Sequence, residues 1–309
     1  MSTWHSYSGG GGKGSFAICL LRELVNLGAL PADRGPDGVV GCSVGAFIAA
    51  GIAQSPKEEF GAGVEYTYQM WKRNIRRDKD VYRWYFPPFL SGLTRTSFAY
   101  VRPLREIIER TVSAEALRRS GVEFRCIAVD LHDGQTHTFT QKDDPTMALL
   151  ASSAFPGVMP MVEVGGHAYT DGGVRDVSPL GVAIREGATK VLAIHMGQPS
   201  LGKARIKDAF ARVGLELEII MHEVLTADLA QAEHINMLAR MARDLPTSHR
   251  DGDDVRLRGW QEVDVLVLGP DEKLGSGLDF SAESFARYEV VARRVARAEQ
   301  ERVQTWASR

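Results

Sequence analysis

Cysteine is scarce in this chain: the three among 309 residues, Cys19, Cys42 and Cys126, sit among apolar neighbours and fall in no C-x-x-C or His-rich spacing. Neither a disulfide framework nor a zinc site is indicated, and a reducing compartment fits. Long apolar runs are missing too; none approaches the ~18 residues of a membrane span, and no basic stretch followed by an apolar core opens the N-terminus. Nor is there an excess of one charge, since 37 basic and 39 acidic residues leave a formal −2. That balance gives no general attraction for nucleic acid or for anionic membranes. The absences together read as a soluble, cytoplasmic protein that takes no nucleic acid and meets a membrane only peripherally, through a local patch.

Glycine, by contrast, is concentrated. "YSGGGGKGSF", residues Tyr7 to Phe16, holds four in a row, although glycine has the most backbone freedom to lose on ordering. The following "SFAICLLRELVNLGAL" puts Ile18, Leu21, Leu24, Val25 and Leu27 at helical spacing and stops at Gly28, so the glycines feed a helix N-terminus rather than a tail. Next comes "DGVVGCSVGAFIAAGIA", a short β-run at Val39 and Val40, a tight turn and a helix of small residues. "FRCIAVDL", "TKVLAIHM" and "EVDVLVLGP" are further buried strands with helical patterns between them. This alternation predicts an α/β fold with a mainly parallel central sheet covered by helices on both faces. No repeat or low-complexity linker divides it, so a single domain over 1–309 is expected, with a mostly helical excursion at about 57–120.

Within that excursion "YQMWKRNIRRDKDVYRWYFPPFL" mixes aromatics with Lys72, Arg73, Arg76, Arg77, Lys79 and Arg83. Such a mixture suits a lid or an interfacial patch; the plainer alternative is a solvated basic face beside core-facing Trp71 and Trp84. The helical tract over 210–243, with Leu217, Ile220, Met221, Val224 and Ala227 on one side, is most simply core packing.

"GCSVG", Gly41 to Gly45, is a G-x-S-x-G pattern between the β-run and a helix. There the turn is tight enough to keep Gly41 and Gly45 small, and Ser43 stands at a helix N-terminus whose dipole favours developing negative charge. A serine hydroxyl needs a base. His195, after a strand, is the candidate of an α/β-hydrolase triad, but an elbow so early in the chain, preceded by a glycine loop, is unlike that layout. Further on, "ASSAFPGVMPMVEVGGHAYTDGGVRDVSPL" holds Asp171 on a turn with Gly172 and Gly173. Nearby His167 reads as a hairpin residue with a lesser claim to bond Asp171, and Asp176 as a second carboxylate that bonds its own turn. Two nucleotide readings of the glycine loop fail. Tyr7 occupies the first glycine position of a Walker motif and Gly14 replaces its magnesium-binding hydroxyl, while a Rossmann loop lacks a convincing β-run before it.

GGGGKG, GCSVG, ASSAFPG and DGG in that order, with "VDVLVLGP" and "GLDF" towards the C-terminus, resemble the patatin-like phospholipase family over nearly the whole chain. The resemblance implies a three-layer patatin-like architecture and lipid acyl hydrolysis by a Ser–Asp dyad that needs no metal or cofactor. Carried over, Ser43 attacks the ester carbonyl of a phospholipid or other acyl ester, and Asp171 takes its proton. The loop Gly9 to Gly14 matches the G-G-G-x-[RK]-G pattern, so the backbone amides of Gly10, Gly11, Gly12 and Lys13 would form the oxyanion hole. Gly10, Gly11 and Lys13 are the matching donor positions. Gly41, Gly45, Gly172 and Gly173 would support elbow and dyad turn. Two alternatives stand beside hydrolysis: an acyltransferase or thioesterase using the same dyad, and a lipid-binding or signalling effector whose activity a partner or ligand gates.

Overall fold

In the computed structural model, residues 1–86, 95–197, 209–244 and 262–309 are described. The main sheet runs β10-β9-β1-β2-β5-β8-β7, with β6 added to β5. Its parallel part comprises β1 (Thr3–Tyr7), β2 (Gly38–Cys42), β5 (Glu123–Asp130), β9 (Lys190–Ile194) and β10 (Asp264–Leu268). β6 (Thr136–Thr140), β7 (Val162–Val164) and β8 (His167–Asp171) join it antiparallel. Successive residues of the parallel strands feed opposite faces. Val39 and Leu192 belong to one buried cluster, Val40 and Val191 to another, as the two-residue period of a strand demands.

The larger cluster is covered by α1 (Gly14–Asn26), α2 (Val44–Ala53), α3 (Phe60–Asn74) and α9 (Ala282–Ser308). The smaller faces α7 (Leu180–Arg185) and takes in Leu229 of α8 (Ala209–Asp244). α1 stops where the sequence predicts, with Gly28 in the left-handed region at φ 65 and its amide on the Val25 carbonyl. Residues 57 to 120 carry α3, a two-stranded antiparallel ribbon of β3 (Arg83–Trp84) and β4 (Ala99–Tyr100), then α4 (Arg102–Thr111) and α5 (Ala114–Arg119). Trp71 is buried edge-on to Phe47, but Trp84 is 45% exposed rather than core-facing. The end of the aromatic-basic stretch, residues 87 to 90, lies outside the described residues.

One expectation is overturned. The segment before the glycines is a strand, β1, paired on one side with β2 and on the other with β9. Its sequence, TWHSY, hides this because His5 and Ser6 break the apolar pattern. Both are buried all the same, His5 against Tyr7 (3.0 Å) and the Phe60 ring. A central position in the sheet overrides composition.

Register then sets the site. Cys42, the last residue of β2, pairs with Ile127, while Asp171, the last residue of β8, pairs with Ala128. Two distant chain segments therefore end beside consecutive residues of β5. The turn after β2 begins with Ser43.

Candidate active site

Ser43 is the one non-glycine residue at positive φ among the described residues, at φ 53 and ψ −125. Holding a serine there costs about 1–3 kcal/mol and persists only where the surroundings over-determine it. They do. A Cβ on Gly41 would stand 2.2 Å from the Gly45 carbonyl carbon, and one on Gly45 would stand 2.1 Å from the Tyr7 oxygen. The elbow is thus pressed between its own two ends and the tip of β1. The Ser43 amide donates to Oγ of Ser152 (2.9 Å), a buried residue of α6 (Pro145–Ser152). That contact gives the first serine of ASSAF a task which the motif's spelling alone does not reveal.

Asp171 is fully buried, and burial pushes its carboxyl up to about 6, against the lowering effect of the Gly173 amide and of Ser43 and Cys42. Oδ1 accepts from the Gly173 amide (2.8 Å) and lies 3.7 Å from the Cys42 Sγ. Oδ2 closes no hydrogen bond of standard geometry. The Ser43 hydroxyl lies near enough to lower the carboxyl's pKa without reaching that geometry, a looseness common in unliganded sites. Gly172 and Gly173 leave room for this approach: a Cβ on Gly172 would meet the Ile127 oxygen at 2.7 Å, and one on Gly173 would come 3.1 Å from Asp171 Oδ1.

The glycine loop divides into used and free amides. Gly9 donates to the Val177 oxygen (2.9 Å), Gly12 to the Gly277 oxygen (2.7 Å) and Lys13 to the Gly10 oxygen (3.3 Å). Gly10 and Gly11 donate to nothing among the described residues, and both line the same cavity as Ser43. Glycine is enforced at Gly11, which sits at φ 58 and whose Cβ would stand 2.0 Å from the Gly277 oxygen. Although β1 supplies the strand that a dinucleotide loop would need, the backbone of Gly277 and Asp279 fills the space against Gly11 and Gly12 that a pyrophosphate would occupy. Lys13 is buried, with Nζ 2.5 Å from Glu218 of α8, so it is no solvated surface lysine.

The cavity holds about 650 Å³, within the usual range for small-molecule sites. Its walls are chiefly apolar, among them Phe47, Trp71, Ile108, Phe155, Leu225 and Phe280. Asp171 is not on its wall, so the carboxyl sits behind the serine.

Other candidates part from the site. His167 pairs through Nδ1 with Asp130 (2.6 Å), not with Asp171. His195 packs half-buried against Gly269 and is not among the residues lining the cavity, and desolvation lowers its pKa to about 4. Asp176 does not bond its own turn through its side chain. It is paired with Asp228 of α8, and burial together with that second carboxyl holds it well above the usual range. Asp228 in turn accepts from the amides of Val177 (2.9 Å) and Ser178 (3.0 Å). Sequence patterning gave no sign of α8's hold on this turn, because the partners lie some fifty residues apart.

Uncharacterized NTE family proteins of Mycobacterium bovis and Mycobacterium tuberculosis are each 24% identical to this chain over 188 residues, 60% of this chain and 48% of theirs. The aligned stretch thus spans about half the length of these relatives. VipD from Legionella pneumophila superposes on 97% of this chain and 67% of its own at 9% identity, with a TM-score of 0.44, too loose a likeness to carry an argument. The model of the Patatin-like phospholipase family matches residues 6–184. That stretch takes in the glycine loop, the elbow and Asp171 without a break and is more than half of the chain, which therefore belongs to the patatin-like phospholipase family.

Proposed function

We propose that this protein is a serine acyl hydrolase cleaving fatty-acyl esters of phospholipids or related lipids, with Ser43 as nucleophile and Asp171 as its base. The observation that carries the reading is a strained serine on the floor of an apolar cavity, with a fully buried carboxyl of raised pKa directly behind it. Attack of Oγ on the carbonyl carbon passes the hydroxyl proton to Asp171 and puts negative charge on the carbonyl oxygen. Collapse of this adduct breaks the ester bond, and Asp171 returns the proton to the departing alcohol. Water, deprotonated by the same carboxylate, then releases the fatty acid and restores Ser43.

A carboxylate whose pKa lies near 6 is a much weaker base than the alkoxide it would create, so the barrier falls only if the oxyanion is strongly stabilised. The free amides of Gly10 and Gly11 are the donors for that task. Those of Gly12 and Lys13 are engaged within the protein and act by fixing the loop. The Lys13–Glu218 pair fastens the loop to α8. Trp84 lines the cavity and is half exposed, Phe86 is 95% exposed, and Arg76, Arg77, Lys79 and Arg83 of the same segment are exposed as well. This aromatic-basic patch is the surface through which the protein would meet a membrane and take up its substrate.

Purified protein should release fatty acid from phospholipid vesicles and product from a chromogenic acyl ester. Ser43→Ala and Asp171→Asn should each abolish both while keeping the fold by circular dichroism. Wild-type turnover in Ser43→Ala would overturn the assignment.

A further inference from the structure

Apart from the cavity, the fold gathers a second set of chemically competent side chains. Asp130 ends β5, His132 follows on the turn, and His167 opens β8. One ligand atom from each lies within 4.8 Å of the other two. Nδ1 of His132 is 3.1 Å from Asp130 Oδ1, and Nδ1 of His167 is 2.6 Å from Oδ2. The two imidazoles stand edge to face with centroids 5.4 Å apart. None of the three lines the cavity.

We propose that Asp130, His132 and His167 form a binding site for a late first-row divalent metal ion such as Zn²⁺. Two imidazole nitrogens and one carboxylate oxygen are the donor set that favours zinc, cobalt, nickel or copper over calcium or magnesium, which take oxygen ligands. Three protein ligands leave one position of a tetrahedral ion to water. Around such an ion, with bonds of about 2.1 Å, ligand atoms stand about 3.4 Å apart. The half-exposed rings reach that spacing by rotations that surface side chains make readily. Each ring gives the ion an unprotonated nitrogen and keeps its proton on the other, and the carboxylate offsets one of the two charges. No redox step is involved.

The anchor is rigid where it needs to be. The Asp130 side chain is 11% exposed, its Oδ1 accepts the His132 amide (2.9 Å), and its backbone pairs with Tyr169 in the sheet and with Gln135 across the turn. The two rings, at 61% and 56% exposure, are the movable ligands. Arg175, four residues past Asp171, donates to the Gly134 oxygen (3.0 Å) on the same turn. A bound ion would therefore brace the junction of β5 and β8 from outside the cavity, as a structural clip rather than a participant in ester cleavage.

The test is zinc titration of tag-free protein by calorimetry, with Co²⁺ substitution followed by visible spectroscopy. Wild type should bind one Zn²⁺ per chain at micromolar or tighter affinity, raise its Tm by several degrees on binding, and give a tetrahedral Co²⁺ band. His132→Ala/His167→Ala should weaken binding by 100-fold or more and lose both the Tm shift and the band, while its metal-free Tm stays close to wild type. His132→Gln alone should weaken binding by a smaller factor, which guards against a fold defect in the double variant. No binding below millimolar Zn²⁺, or equal affinity in wild type and the double variant, would overturn the site.

Discussion

The floor of the cavity meets its contents through backbone, the walls through side chains. On the floor stand Gly10 and Gly11, whose amides donate to nothing among the described residues, and Ser43, whose position is fixed by contacts no side chain larger than hydrogen would permit at Gly41 or Gly45. The walls are drawn from α3, β3, α4, α8 and the loop before β7, with Trp71, Trp84, Ile108, Leu225 and Phe155 among them. Backbone is shared by every sequence, and its placement tolerates almost no change once the approaches are this close. Side-chain walls can be exchanged for others of similar volume at modest cost. On the proposed function, chemistry would reside in the part of the site that cannot vary without losing the turn, and substrate choice in the part that can.

If that division holds, substitutions on the floor must lose turnover on every ester. Ser43 gives the largest effect. Ser43→Ala and Ser43→Gly should both lower kcat by about 10⁴-fold or more, yet the glycine variant should be the more stable by about 1 kcal/mol, because it relieves the φ of 53. Denaturant titration of the pair checks this; equal stability would mean the elbow stores no strain. Asp171→Asn should lose activity by about 10³-fold or more and separate chemistry from stability with a definite sign. Since burial raises the carboxyl to about 6, the neutral form is the one the fold favours. Its contribution is fully present below the ordinary carboxylate range and is lost as pH rises through about 6. The variant should therefore be more stable than wild type at pH 8, by up to about 3 kcal/mol, and no more stable at pH 4. Wild-type kcat/KM should rise with pH through about 6 and level off above it.

The same division explains which parts of the fold and site are legible in the sequence. The strands at Val39–Val40, 124–131, 189–196 and 262–270 announced themselves as apolar runs, since strands buried on both faces need no alternation. The helix after the glycines was equally plain, because spacing and its glycine stop agreed. β1 was not legible, as His5 and Ser6 are buried only by virtue of neighbours β2 and β9, which are set by topology. Within the site, glycines were readable because a missing Cβ leaves a mark in the sequence. Which amides remain free was not: that depends on Gly277, Val177 and Gly10 as acceptors, and two of these lie far along the chain. The clustering of His132 with His167 was hidden for a like reason, a strand pairing that joins residues thirty-five apart.

Between floor and wall stands the loop itself. Gly11→Ala would set a methyl 2.0 Å from the Gly277 oxygen at a φ that alanine rarely adopts. The loop must shift and the free amides leave their aim. Turnover should fall by about 10²–10³-fold, the usual effect of losing an oxyanion donor, with KM for a short ester little changed. A fall in binding alone would move Gly11 from the floor to the wall.

The wall should give the smallest change and the most selective one. Trp84 is half exposed at the cavity's edge and packs on Tyr82, ring centroids 5.4 Å apart. Trp84→Ala removes apolar surface that a long acyl chain would cover and a short one would not reach. Kcat on a short-chain chromogenic ester should stay within about 2-fold of wild type, whereas KM for a long-chain lipid should rise by about 10-fold, the equivalent of losing a few buried methylenes. Measuring both substrates on one preparation makes the comparison internal. An equal loss on both would place Trp84 among the groups that hold the reacting atoms, and the line between backbone chemistry and side-chain selectivity would have to be redrawn through β3.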